Sequence, residues 1–197
     1  MDERIEEILQ FWFGESTDGE LPTGPDLWFG RSMRVDRTIE RRFGKLVEKA
    51  KQGALDAWTT TPRGRLAVIL LLDQFSRNIY RDTPEAFAGD DKALSLCLDG
   101  LDEEMDKTLS PAERAFFYMP TMHAEDLDMQ MTSVEVFEEL AAEAPPEHKA
   151  LCESFLEHAR RHRDVVERFE RFPHRNAILG RSSSSEEAAF LQQNDEL

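Results

Sequence analysis

Residues 61–80 read Thr-Pro-Arg-Gly-Arg-Leu-Ala-Val-Ile-Leu-Leu-Leu-Asp-Gln-Phe-Ser-Arg-Asn-Ile-Tyr, and the fold class turns on them. Thr61 before Pro62 is a helix start: the hydroxyl accepts a backbone N–H of the first turn, and proline at the first helical position gives up an N–H that has no partner there anyway. The apolar run 66–72 then covers every direction of the helical period, so the spacing predicts a helix over about 62–80 that is wrapped by others. Seven apolar residues fall far short of the roughly 20 that span a bilayer.

The same period extends outward in both directions. Ile5, Ile8, Leu9 and Trp12 share one face of a first helix ending near Gly14, and Ile39, Phe43, Leu46, Val47 and Ala50 mark a helix over about 32–51, stopped by Gly53. Between them residues 15–31 read as irregular, with Leu27, Trp28 and Phe29 turned back onto the core. Ala93, Leu94, Cys97 and Leu98 mark a helix over 90–99. Ser110 and Glu113 form a capping box opening a helix that Pro120 should end or kink, with His123 opening the next, over 122–143. Pro145-Pro146 separates that helix from a long one over about 146–171, closed by Phe172-Pro173, and a second capping box at Ser184 and Glu187 starts a short terminal helix.

No segment alternates apolar and polar residues long enough to suggest a sheet. The expectation is therefore an all-α protein of antiparallel helix pairs, a tetratricopeptide-like array or bundle, forming a single domain over 1–197 with its core in about 5–191. No 34-residue self-similarity is visible in the chain. Cys97 and Cys152 fall in amphipathic patterns and read as buried free thiols. The start, Met-Asp-Glu-Arg-Ile-Glu-Glu, is acidic where a secretion signal would be basic, which together with the cysteines points to the cytoplasm.

The net charge of −16 is regional: residues 82–147 hold 18 Asp or Glu against 3 Lys or Arg. Such a field repels phosphate backbones and argues against nucleic-acid binding, as the short apolar runs argue against a membrane. Two cationic islands run against it, Arg63, Arg65, Arg77 and Arg81 in 60–81, and Arg171, His174, Arg175 and Arg181 in 171–185.

Each polar group in these islands has two readings. Asp73 and Arg77 lie four residues apart on one helix face and form an internal ion pair, or Arg77 and Asn78 present donors to a ligand. Glu125 and Asp126 suit the first turn of a helix, or one of them joins His123 in acid/base chemistry. His158 and His162 have the i, i+4 metal spacing but lack the Glu of a zinc-protease motif, and no metal or cofactor is expected. The segment 172–181, Phe-Pro-His-Arg-Asn-Ala-Ile-Leu-Gly-Arg, carries cations alone and precedes the helix N-terminus at Ser184, a combination that suits a small anion. Its alternative is a loop pinned onto the acidic segment by ion pairs. No phosphate-binding loop, nucleophile elbow, dinucleotide fingerprint or C-x-x-C occurs.

Four blocks carry a resemblance: Phe11-Trp12-Phe13-Gly14; Asp73-Gln74-Phe75-Ser76-Arg77-Asn78; Pro120-Thr121-Met122-His123-Ala124-Glu125-Asp126; and Arg171-Phe172-Pro173-His174-Arg175-Asn176 with Leu179-Gly180-Arg181. Together they resemble the bacterial family called domain of unknown function 924, over about residues 5–191. The resemblance implies a tetratricopeptide-like helical fold and no established activity, and it adds His162 as a matching histidine. This chain departs from the family pattern at Ser76, Thr121 and Ala124.

From these readings the expected site is a polar pocket of Arg77, Asn78, His123, His174, Arg175, Asn176 and Arg181 that binds a small anionic metabolite. Whether it is also catalytic, through His123 or His174, stays open at the level of sequence. The alternative is a helical interaction module whose groove receives a protein or peptide partner.

Overall fold

The computed structural model describes residues 2–14 and 21–193; of the irregular stretch 15–31, residues 15–20 lie outside them. The central stretch is helical as expected, in three pieces: α4 (Pro62–Leu70), a π-helical turn (Leu71–Phe75) and α5 (Ser76–Ile79). Thr61 caps it by accepting from the Gly64 N–H. Every residue from Gly64 to Asp73 is buried, which accounts for a helix without a polar face.

The surrounding elements are α1 (Glu3–Phe13), α2 (Pro25–Trp28), α3 (Met33–Lys51), α6 (Asp90–Asp102), α7 (Pro111–His123), α8 (Leu127–Glu143), α9 (Pro146–Phe169) and α10 (Ser185–Gln193). Among the described residues the chain is all-α, with no strand. α1, α6 and α7 pack on α4, α3 on the π turn and α5, and α7, α8 and α9 against one another. One hydrophobic core joins α1, α3, α4, α7, α8 and α9, with Trp12, Phe43, Phe75, Phe116 and Phe137 among its largest buried side chains.

Four expectations are corrected. Pro120 neither ends nor breaks its helix, which runs on to His123. An internal proline costs about 3 kcal/mol, but all the residues from Glu113 to Met122 are buried, and burying several large side chains at about 1.5–3 kcal/mol each outweighs that cost. Consequently His123 closes α7 rather than opening the next helix, whose N-cap is Asp126, accepting from the Met129 N–H at 3.0 Å. α9 stops at Phe169, because Glu170 turns left-handed with φ 58° before Phe172-Pro173 is reached. Finally, Leu27 is buried and Trp28 packs on the core, yet Phe29 remains 56% exposed.

Candidate functional site

The first signature block builds a platform. Phe11, Trp12 and Phe13 pack edge-on against Phe75, Phe116 and Trp28, and the Trp12 carbonyl accepts the indole N–H of Trp28 at 2.8 Å. That bond fixes Trp28 at one wall of a cavity of about 510 Å³. The other walls come from Gln74 in the π turn, Arg77 and Asn78 on α5, Arg81 and Asp82 after it, the turn at Ala86 and Phe87, His123 at the end of α7, His162 on α9, and His174, Arg175 and Ile178.

Five of the seven expected site residues thus share this cavity: Arg77, Asn78, His123, His174 and Arg175. Asn176 and Arg181 do not line it. The Asn176 amide is buried and donates to Ser183 Oγ and Glu187, while Arg181 forms two bonds to the Glu125 carboxylate at 2.6 and 2.8 Å and one to Asn176. The acid at 125 therefore serves the loop rather than a helix dipole, and Glu125 also accepts the Phe172 N–H at 2.8 Å. The helix N-terminus at Ser184 is likewise filled from within, since Glu187 accepts the Ser184 N–H and Ser184 Oγ accepts the Glu187 N–H.

The second and third blocks meet in one buried network. Asp73, fully buried in the π turn, accepts from His123 Nδ1 at 2.7 Å and from Gln74 Nε2 at 2.5 Å, and its carboxylate is ion-paired with Arg77 at 2.9 Å. Burial alone would raise this carboxyl, but Arg77 and then His123 hold it far below the usual carboxylate range. Arg77 is engaged in turn, donating to the Asp73 carbonyl at 2.8 Å and to both oxygens of Asp90 at 2.9 Å. The internal ion pair expected from the Asp73–Arg77 spacing is therefore present, and the same arginine forms part of the cavity wall. Asn78 and Arg81 both donate to Asp36, at 2.8 and 2.8–3.0 Å.

Arg175 is different. Its side chain is 8% exposed, its Nε has no partner, its guanidinium donates no hydrogen bond among the described residues, and the nearest carboxylate, Asp90, stands 3.8 Å away. Two rings take the place of a counter-ion, Phe172 at 4.5 Å and Phe87 at 4.8 Å. Burial, with Arg77 adding repulsion, pushes its pKa down to about 10.

The imidazoles are placed with equal definition. Because Asp73 is ionised, the proton of the shared bond belongs to His123 Nδ1, which leaves the Nε2 lone pair unprotonated. His162 Nδ1 donates to the His158 carbonyl at 2.8 Å, so its Nε2 is also an acceptor. Its ring lies 6.3 Å from His123 and 5.4 Å from Phe172. Burial holds His123 below its ordinary value in spite of Asp73, and holds His162 down at about 3. His158 spends its own Nδ1 on the Ser154 carbonyl, and among the described residues no three His, Cys, Asp or Glu side chains are grouped to hold a metal.

Sequence reasoning missed Asp90, Asp36, Phe87 and Trp28 as parts of this site. Asp90 was hidden among the many acids of 82–147, and Trp28 among apolar residues assigned to the core.

Fold and cavity together define an all-α protein with a buried arginine and three histidines around one opening. The family model described as "Bacterial protein of unknown function (DUF924)" matches residues 8–195, and the chain belongs to that family. The structure of a protein of unknown function from Agrobacterium tumefaciens is similar, at 34% identity over 98% of each chain with a TM-score of 0.83. A search of curated proteins finds no match. No described helix is long and apolar enough to cross a membrane.

Proposed function

We propose that this protein binds a small anionic metabolite in the bacterial cytoplasm, in the cavity lined by Arg77, Asn78, His123, His174 and Arg175. The carrying observation is Arg175: a buried guanidinium is ordinarily paired closely, because leaving it unpaired costs several kcal/mol, and this one has no acceptor within hydrogen-bond range among the described residues, Asp90 standing 3.8 Å away. An anion entering the cavity supplies the missing acceptor. Asn176 and Arg181 serve as its scaffold, locking the loop that presents Arg175. A thermal-shift screen of carboxylates and phosphates tests the reading. A ligand at about 100 times its Kd stabilises by about 2.7 kcal/mol, or roughly 5–10 °C for a chain of this size. Arg175→Ala should abolish that shift, and equal responses from both proteins overturn the proposal.

The second reading, a tetratricopeptide-like interaction module, draws on Leu127 and Met131, which stand 43% and 51% exposed one turn apart on α8. A stoichiometric partner lost on Leu127→Asp would favour it.

A further inference from the structure

The residues around the cavity support more than capture. Among the described lining residues there is no serine, threonine, tyrosine, cysteine or lysine. A hydroxyl or thiol nucleophile, or a Schiff base on an amine, therefore has no residue to form on. What the lining does hold is an imidazole whose far nitrogen is tied to a buried carboxylate, which fixes ring orientation and tautomer and leaves Nε2 as a base. Resting on the anion-binding reading, we propose that Asp73 and His123 form a general-base pair that directs water onto the ester carbon of a substrate whose carboxylate is held by Arg175.

In that step the water oxygen bonds to the acyl carbon while one water proton moves to His123 Nε2. The tetrahedral intermediate then collapses, the carbon–oxygen bond to the alcohol breaks, and the leaving oxygen takes the proton back from His123. The products are an acid, which loses its proton to solvent, and an alcohol. No oxidant, reductant or further reactant is consumed. Asp73 contacts His123, Gln74 and Arg77 and does not itself line the cavity, which makes it a positioning residue.

The choice of a carboxylate ester over a phosphate ester follows from the charges. Transfer of a phosphoryl group spreads charge over three equatorial oxygens and calls for several cationic donors. Here the guanidinium of Arg77 is engaged by Asp73 and Asp90, and that of Arg81 by Asp36, while Arg175 beside His123 is under-neutralised. One such cation matches one carboxylate. Trp28, Phe87 and Ile178 offer the rest of the substrate an apolar wall. Anion binding also prepares the base, because charge placed beside Arg175 offsets the repulsion that guanidinium exerts on His123.

The test uses 4-acetoxybenzoate as the charged ester, phenyl acetate as the uncharged one, 4-nitrophenyl phosphate as the phosphoryl comparison, and benzoate as a non-reacting ligand. The wild-type chain should hydrolyse 4-acetoxybenzoate in preference to phenyl acetate, and Arg175→Gln should erase the preference. His123→Gln should lower kcat by about 10²–10⁴-fold, the range of general-base catalysis, while benzoate binding measured by calorimetry persists. Asp73→Asn should lower kcat with KM little changed and move the acid limb of the pH–rate profile to lower pH, since the carboxylate raises the imidazole's basicity. Should a variant fail to fold, the wild-type profile itself decides, because a base on water requires activity to rise with pH through one ionisation. Arg175-dependent benzoate binding with equal hydrolysis by wild type and His123→Gln overturns the catalytic inference and leaves the binding site standing. Absence of Arg175-dependent binding removes the binding reading and the inference with it, and turnover of the phosphate ester alone overturns the acyl assignment.

Discussion

A histidine kept neutral inside the fold makes stability depend on pH in a definite direction. His162 titrates near 3 in the folded chain against an ordinary 6.5, so as pH falls the unfolded chain takes up the proton first. Its stability contribution is complete above about pH 6.5 and is lost progressively down to about pH 3. Melting temperature measured between pH 7 and 5, above the range of ordinary carboxylates, should fall less steeply for His162→Gln than for the wild type. At this scale the sequence was informative where a polar residue broke a pattern. Asp73, Arg77 and Asn78 interrupt the most apolar helix of the chain, and His174 and Arg175 lie in a loop without acids. It was blind to which side of that loop each residue would face: Arg175 turns toward the cavity and Arg181 toward Glu125, a choice made by a carboxylate 56 positions away.

Helix starts were the most legible elements, because caps are local chemistry. Thr61, Ser110 and Ser184 each accept the N–H that their spacing foretold, and Glu113 and Glu187 complete their boxes. Helix ends were less legible. Pro120 is overridden by burial on all sides, and Gln130 then closes α7 from the neighbouring helix, donating to the Met122 and Ala124 carbonyls at 2.7 Å. The π turn was not foreseen, since no residue type demands it, yet it is what carries Asp73 to His123. One element contact has a direct consequence for the site. Gly89 precedes α6 and lies so close to the central helix that an added Cβ would meet the Leu72 carbonyl oxygen at 2.7 Å. Gly89→Ala should therefore push Asp90 away from Arg77, costing about 1–3 kcal/mol by overpacking, measurable in a denaturant titration.

For the molecule as a whole the net charge of −16 opposes compaction, and most of it comes from residues 82–147. Screening length falls from about 30 Å at 0.01 M salt to about 8 Å at 0.15 M. The melting temperature should consequently rise over that interval, and a fall would mean that the exposed ion pairs, such as Arg160 with Glu138, outweigh the self-repulsion. Global charge was fully readable from the sequence, whereas the path by which Trp28, Arg77, His123, His162 and Arg175 converge was not, because helical periodicity specifies faces and leaves the pairing of faces to packing. The walls of the cavity come from positions as far apart as 28 and 178. No fragment that stops short of position 178 can contain the complete cavity lining, so during synthesis the cavity forms only after α1 to α9 have been made. On the proposed reading, a bound metabolite would shield from proteases only chains that extend past Ile178, leaving shorter ones unprotected.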